Sequence, residues 1–364
     1  MSVAVTILAL VTDAFGGRGG IAQYNRDFLK VLAALDKVSS IHIVPRHAPD
    51  PADHPTNISQ APPLFARFLY SIRALATALA SRPDVVFCGH LYMAPLAWIV
   101  ARLIGAKLVI QTHGVEAWEH PPWLQRTALQ AADTILCVSR YTRSRVLDWA
   151  AIAPERVVVL PNTVGDAYVV GDGRVLRDAS SPDEKKSLLT VARMDGGQRY
   201  KGHDRVIDAI PRVVENGHDV GYLIVGEGDD RMRLEERARA KGIADRVHFT
   251  GPVAAEKLPD LFRTADLFVM PSTGEGFGIA FLEAMASGTP ALGLAVGGAC
   301  DALADGEWGM AVAEDADLAE AISRLLSGPK PDAGLLSAQT RARFGPDVFR
   351  ERVRLVLDRL LAPA

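Results

Sequence analysis

The stretch Asp266–Gly288, DLFVMPSTGEGFGIAFLEAMASG, contains one complete strand, turn and helix. DLFVMPS is a short apolar run bounded by turn residues, the pattern of a buried strand. TGEGFG supplies glycines for a tight turn, and IAFLEAMAS continues as a helix that Gly288 ends. A strand that passes straight into a helix is the repeating unit of a parallel sheet covered on both faces. The stretch also poses a chemical question. Glu275 stands in the turn and Glu283 lies inside an apolar helix, where a carboxylate needs a reason to be.

Outward from this unit the same alternation fills the chain. Before it come SLLTVA, VGYLIVG and RVHFTG, and after it TPALGL, each separated by a helical pattern. The first half repeats the arrangement with VAVTILALV, SIHIV, DVVFCG, KLVIQT, TILCVS and RVVVLP as strands. Between the first two, Ile21, Tyr24, Phe28, Val31 and Leu35 recur at helical spacing. The segment GDAYVVGDGRVLRDASSPDEKK has no sustained period and reads as a linker. The expected division is therefore a domain over 1–165, a linker over 166–186 and a second domain over 187–340. Residues 341–364 end in an amphipathic helix with Val353, Val356 and Leu357 on one face. The fold class is α/β, with two doubly wound domains and ligands expected beyond the carboxyl ends of their strands.

Composition narrows the classes. With 49% hydrophobic and 23% charged residues the chain can bury two cores and is not disordered. A net charge of −3 argues against a bulk nucleic-acid binder and leaves room for a local basic face. Cys88, Cys137 and Cys300 form no CxxC pair, which suits a reducing cytosol and argues against zinc or disulfide frameworks. SVAVTILALV lacks a basic flank and reads as a first strand rather than a signal peptide. The apolar run from Leu91 to Ile110 is interrupted by Pro95, Arg102, Gly105 and Lys107, too often for a membrane span.

The residues just after strands carry the chemistry. Phe15-Gly16-Gly17-Arg18-Gly19-Gly20 opens a helix and lets backbone N–H groups approach an anion, although a plain flexible turn fits equally. His113, in QTHGVEAW, reads as a hydrogen-bonded structural residue or as a ligand contact, and His90 as a structural residue. Arg193 ends a strand and Lys201 precedes a helix. A guanidinium fork and a mobile ammonium together suit a diphosphate, whereas singly each reads as a solvated cation. Val253 follows a strand where backbone groups can meet a base edge. The amides of Phe277, Gly278 and Ile279 form an anion-binding helix start. Glu283, about one turn in, can accept hydrogen bonds from a ribose diol, and Glu275 faces the other end of the ligand. A dipole charge and a salt-bridged helix residue are the bland alternatives.

Taken together, GG at a first strand-to-helix turn, THG, R…KG and ExGFGxxxxE followed by AMASGTP resemble the retaining GT-B glycosyltransferases of family 4. The resemblance covers nearly the whole chain and is strongest from TVAR to GGACDALADGEWGMAV. It implies a GT-B architecture, with the N-terminal domain on the acceptor side, the second domain binding the nucleotide sugar, and the last helix packing back towards the first domain. It implies Gly19 and Gly20 near the donor phosphates, His113 on the transferred sugar, and Arg193 and Lys201 on the leaving diphosphate. Glu275 would hold sugar hydroxyls and Glu283 the ribose. It further implies a metal-independent hexosyltransferase with no cofactor, the nucleotide sugar being a co-substrate, and front-face transfer in which the leaving phosphate assists deprotonation. The only D-x-D, Asp315-Ala316-Asp317, stands at a helix start where capping accounts for it.

Two departures stand out. The insert DGGQRY between Arg193 and Lys201 makes Arg199 a second candidate for the role of Arg193, and Gly297-Gly298-Ala299-Cys300-Asp301 replaces the family's GGxPE. Glu256 tips the donor towards guanine, and GGIAQYNRDFL and RYKGHD resemble bacterial polysaccharide mannosyltransferases, so GDP-mannose stands ahead of a UDP-sugar. The expected acceptor is a glycan or a lipid-linked glycan. The competing readings are a sugar-nucleotide epimerase and an inactive sugar-nucleotide-binding subunit. The expected location is cytoplasmic. The helix candidate Phe65–Leu79 and RYTRSR at 140–145 add basic residues that read as solvated faces or as a weak peripheral attraction to anionic membrane.

Overall fold

A computed structural model of the chain describes residues 4–48, 50, 52–171, 185–314 and 316–362. The first half runs β1 (Val5–Val11), α1 (Gly20–Ala33), β2 (Val38–Pro45), β3 (Ile58–Gln60), α2 (Arg67–Ser81), β4 (Val85–Cys88), α3 (Ala94–Ile104), β5 (Lys107–Thr112), α4 (Trp123–Ala131), β6 (Thr134–Cys137), α5 (Arg140–Trp149) and β7 (Val157–Val159). The second continues with β8 (Lys186–Val191), α6 (His203–Glu215), β9 (Val220–Val225), α7 (Arg231–Ala240), β10 (Val247–Gly251), α8 (Leu258–Thr264) and β11 (Leu267–Met270). It closes with α9 (Ile279–Ala286), β12 (Ala291–Leu294), α10 (Ala299–Ala302), β13 (Met310–Val312), α11 (Leu318–Ser327), α12 (Ala333–Phe344) and α13 (Pro346–Leu361). Contacts divide the chain into two compact units, Met1–Thr163 with Asp347–Ala364, and Val164–Pro346.

In the first unit seven parallel strands lie in the order β3-β2-β1-β4-β5-β6-β7. Alternate residues of each strand face opposite layers. Leu8, Leu10, Val86 and Cys88 join a core with Tyr70, Ala74, Ala97 and Leu129, contributed by α2, α3 and α4. Ile7, Val85, Phe87 and Val109 face the other way, and with Phe28 and Leu32 of α1 and Val353 and Leu357 of α13 they line a small apolar cavity of about 20 Å³. That cavity is an imperfection of the core packing, with no polar group to bind a ligand.

The second unit holds six parallel strands in the order β10-β9-β8-β11-β12-β13. Leu267 and Val269 pack towards α6, α7 and α11. Phe268, between them, points to the opposite layer, where its ring lies 5.6 Å from both Phe262 of α8 and Phe281 of α9. The two doubly wound α/β sheets expected from the sequence are present. Strands β3 and β13 were not anticipated: each has three residues and sits at a sheet edge, too short to show a period.

Tyr168, expected in the linker, is buried against Phe262 within the second unit. Arg341 of α12 binds the Gly165 and Tyr168 carbonyls, fixing that segment. Most of the expected linker, 172–184, lies outside the described residues. Among the described residues no helix is long and apolar enough to cross a membrane.

Candidate functional site

Each sheet reverses its direction of winding at one pair of neighbouring strands, β1 and β4 in the first unit and β8 and β11 in the second. Open α/β sheets bind ligands beyond the carboxyl ends of such pairs. In the second unit the loops that leave β8 and β11 carry Arg193 and Glu275.

Lys201 and Glu275 form an ion pair whose side chains are 19% and 7% exposed. Burial disfavours the Lys201 ammonium, but the Glu275 carboxylate outweighs it and holds the lysine above its ordinary pKa. The loop carrying Lys201 lies directly on the loop after β11, with Thr273 N–H donating to the Tyr200 carbonyl at 2.9 Å. Gly202 makes that approach possible: its φ is +81°, and a Cβ there would stand 2.4 Å from the Pro271 carbonyl oxygen. Arg193 is close enough for its charge to oppose that of Lys201. Its own partner is Asp195, at 3.5 Å, and its side chain is 67% exposed. Its loop is fixed by backbone, with Met194 N–H donating to Glu227 and Asp230 N–H to Met194, both at 2.9 Å. The structure therefore brings Lys201, Glu275 and Arg193 together, although the two cations pair with different carboxylates.

Arg199 is engaged elsewhere. It binds the buried Asp230 carboxylate at 2.9 Å, alongside Arg233 at 2.5 Å. Helix α9 starts at Gly278, φ +93°, with no side-chain cap and no acidic residue in its first turn. Phe281 N–H donates to the Gly278 carbonyl at 3.1 Å, and the N–H groups of Ile279 and Ala280 are left for a ligand. Phe277 contributes only backbone there, because its ring is buried 5.6 Å from that of Phe344. The GGACD turn keeps this region tight: Gly298 N–H donates to the Glu275 carbonyl at 2.8 Å, and a Cβ on Gly298 would lie 1.8 Å from the Gly276 oxygen. Glu283 is buried on α9 and hydrogen-bonded to Tyr168; burial first, and that carboxylate second, push the Tyr168 phenol above its ordinary range. Val253 is half-buried two residues past β10, and Glu256 is exposed. Asp317 of the D-x-D caps α11 by accepting from Glu320 N–H at 3.1 Å, and Asp315 lies outside the described residues.

The first unit answers with glycines and neutral rings. Gly19, φ +89°, precedes α1, which begins at Gly20 and has no side-chain cap. His113 follows β5 and its Nε2 lies 2.9 Å from the Gly89 carbonyl oxygen. Since a carbonyl only accepts, Nε2 carries the proton and Nδ1 of the neutral ring is an acceptor. Burial lowers the His113 pKa in spite of Glu116, whose carboxylate accepts the His113 backbone N–H at 2.5 Å. His90 is lowered to about 4 by burial, and its Nδ1 accepts from Tyr92 N–H, a structural role as expected. Tyr24 of α1 packs edge-on against His113 with centroids 5.3 Å apart, tying the glycine-opened helix to the imidazole.

Sequence reasoning did not find Tyr168, Glu116, Asp230 or His203. His203, 4% exposed, hydrogen-bonds the Ala192 backbone beside Arg193, and burial lowers it to about 4. Only the E-x-x spacing of a 3₁₀ turn could have flagged Glu116; the others depend on contacts distant in sequence.

The model of glycosyl transferases group 1 matches residues 175–344, and that of Glycosyltransferase Family 4 matches 18–167. The chain is 34% identical over 263 residues to the GDP-mannose-dependent alpha-(1-6)-phosphatidylinositol monomannoside mannosyltransferase of Mycolicibacterium smegmatis, spanning 66% of this chain and 67% of that one. It is 28% identical over 252 residues to the alpha-D-kanosaminyltransferase of Streptomyces kanamyceticus, spanning 64% of each. The aligned region is thus 64% to 67% of these relatives' own length. Among solved structures, sucrose-phosphate synthase from Thermosynechococcus elongatus superposes with a TM-score of 0.81 at 21% identity, covering 99% of this chain and 100% of that one. At that identity the likeness concerns the fold.

Proposed function

The chain belongs to glycosyltransferase family 4, and from that premise we propose that it transfers a hexose from a nucleoside-diphosphate donor. The acceptor is a glycan or lipid-linked glycan, as in polysaccharide or lipopolysaccharide-type biosynthesis, and the anomeric configuration is retained. GDP-mannose stands ahead of a UDP-sugar, supported by the name of the 34%-identical relative. We assign the protein to the cytoplasm, which suits its free thiols.

The observation that carries this reading is the buried Lys201–Glu275 pair beside the exposed Arg193 fork. As the bond from the anomeric carbon to the diphosphate breaks, negative charge grows on the departing oxygen. Lys201, Arg193 and the N–H groups of Ile279 and Ala280 at the start of α9 are oriented in advance to stabilise that charge. The departing oxygen takes the acceptor's proton while the new glycosidic bond forms on the same face. Glu275 steadies Lys201 and accepts from sugar hydroxyls, and Glu283 accepts from the ribose diol. In the first unit, His113 offers Nδ1 to a hydroxyl hydrogen, and the start of α1 at Gly19 and Gly20 offers N–H groups to a phosphate. No metal ion is required in this scheme, because the two cations carry the charge.

Incubation of the protein with labelled GDP- and UDP-sugars, with and without EDTA, tests the proposal. Slow donor turnover, fastest with GDP-mannose and indifferent to chelation, is expected. Absence of turnover with every donor would overturn the activity, and a rate that collapses with EDTA and returns with Mn²⁺ would overturn the metal-free scheme.

A further inference from the structure

The loop that joins Arg193 to Lys201 has to hold two cations, eight residues apart, against one ligand. Gly196 and Gly197 give it little stiffness of its own, and its 3₁₀ turn, Gly196–Lys201, breaks at Gln198. Displacing a ligand-binding group by about 1 Å can cost roughly 10²-fold in rate. The loop therefore needs anchors outside itself.

The turn after β9, Gly226-Glu227-Gly228-Asp229-Asp230, supplies them. Asp229 accepts the Gly196 N–H on Oδ1 at 2.6 Å. Asp230 stands at the N-cap of α7, where an aspartate ordinarily accepts a first-turn N–H, yet its side chain caps nothing. Its carboxylate, 5% exposed, is turned instead to two guanidinium groups. Arg199 reaches Oδ1 through Nε at 3.1 Å and a terminal nitrogen at 2.9 Å. Arg233 takes both oxygens, at 2.8 and 2.5 Å. Hydrogen bonds from Arg233, and behind them those from Arg199, hold the Asp230 carboxyl below its ordinary range against the cost of burial.

Arg233 alone meets that carboxylate in the two-pronged geometry that satisfies it. Arg199, 57% exposed, is not needed to neutralise it and adds little to folding. What Arg199 adds is a tether two residues before Lys201. Its neighbour Tyr200 accepts the Thr273 N–H at 2.9 Å, so adjacent points of the loop are pinned to the turns that follow β9 and β11.

We propose that Asp229, Asp230 and Arg199 form a latch that keeps the loop in the register at which Arg193 and Lys201 meet one diphosphate. Arg199 is then a positioning residue and does not touch the phosphates. The inference rests on the reading of Arg193 and Lys201 as the diphosphate-binding cations.

Hydrogen exchange and GDP calorimetry on the whole protein are the test. Without nucleotide, Arg199→Ala should speed amide exchange over 196–202 at least about fivefold while keeping the wild-type Tm. It should weaken GDP about tenfold, and kcat with the donor that wild type turns over should fall by a similar factor. Asp230→Asn leaves Arg199 in place and removes the charge that holds it, so GDP should weaken by about as much. An Arg199 that gripped phosphate itself would be released by that change, and unchanged or tighter GDP in Asp230→Asn would overturn the proposal. In an Arg193→Ala background, Arg199→Ala should cost no more than about threefold in GDP affinity, because less remains to be positioned. A full tenfold loss there would assign Arg199 to the ligand and overturn the latch, as would unchanged exchange across the loop. Wild type that takes up neither GDP nor UDP would overturn the reading of the two cations, and the positioning role with it, whereas the exchange measurement reads the latch without any ligand.

Discussion

The two edges where the sheets reverse their winding share a topology and differ in what they bury. Beyond β8 and β11 an ammonium and a carboxylate are taken out of water together, Lys201 with Glu275, and a guanidinium stands exposed beside them. Beyond β1 and β4 the ring of His90, with that of His113 reaching the Gly89 carbonyl from the end of β5, is held neutral by burial, and the helix start is bare glycine. An edge that keeps charge in place is prepared for a ligand whose charge changes during reaction. An edge whose imidazoles are kept neutral presents them as hydrogen-bond partners, which suits sugar hydroxyls. The same frame can thus divide electrostatic work from recognition.

The largest effect that can break this contrast is loss of the lysine. Lys201→Ala should lower kcat by about 10²–10³. It should also cost about 3 kcal/mol of folding stability, because Glu275 would be left buried without its partner. Arg193→Ala should show a similar kcat loss with little change in Tm, its side chain being 67% exposed. Steady-state rates and thermal melts on the two variants separate the cases. Equal stability of both would mean that the ion pair is not what holds the edge.

The neutral edge makes a pH prediction. His90 falls from an ordinary value near 6.5 to about 4 on burial, so the unfolded chain binds its proton more readily than the folded one. Stability is then complete above pH 6.5 and is lost as pH falls towards 4, by at most roughly 3 kcal/mol from this ring. His203, in the second unit, has the same direction and the same value of about 4. Urea unfolding between pH 7 and pH 4.5 should therefore show a slope that His90→Gln reduces by about a third, His113 and His203 being lowered in the same direction. An unchanged slope would place the neutral-ring account in error.

Much of this frame could be read from the chain, and the failures share a cause. Strands β8 and β11 and the α9 turn are continuous in sequence, so period and glycines reveal them. The partner of Lys201 lies 74 positions away, and no local pattern announces Glu275 as that partner. Reading Arg193 and Lys201 as two cations on one anion was open to sequence; their separate carboxylates, Asp195 and Glu275, were not. Helix α2 shows the limit most plainly. Its apolar residues recur on two faces, and which face is buried is decided by the packing of Tyr70, Ala74 and Ala78 on the sheet. Tyr168 falls in a stretch without period, so its hydrogen bond to Glu283 had no signal at all.

That hydrogen bond gives the next prediction in size. Tyr168→Phe should cost about 1–3 kcal/mol of stability, the range for a bond to a charged group. Denaturant melts of the variant measure it. A neutral outcome would show that Glu283 draws its support from other partners.

The central claim is that the edge of the second unit grips a nucleoside diphosphate, with Glu283 on the nucleotide and Glu275 on the transferred sugar. Calorimetry of Glu283→Ala and Glu275→Ala with free GDP, beside initial rates with the intact donor, tests it most directly. Glu283→Ala should weaken GDP by about 1–3 kcal/mol, the cost of lost charged hydrogen bonds, whereas Glu275→Ala should leave GDP affinity nearly unchanged and lower turnover. Equal loss of GDP affinity in both variants, or none in either, would contradict the account.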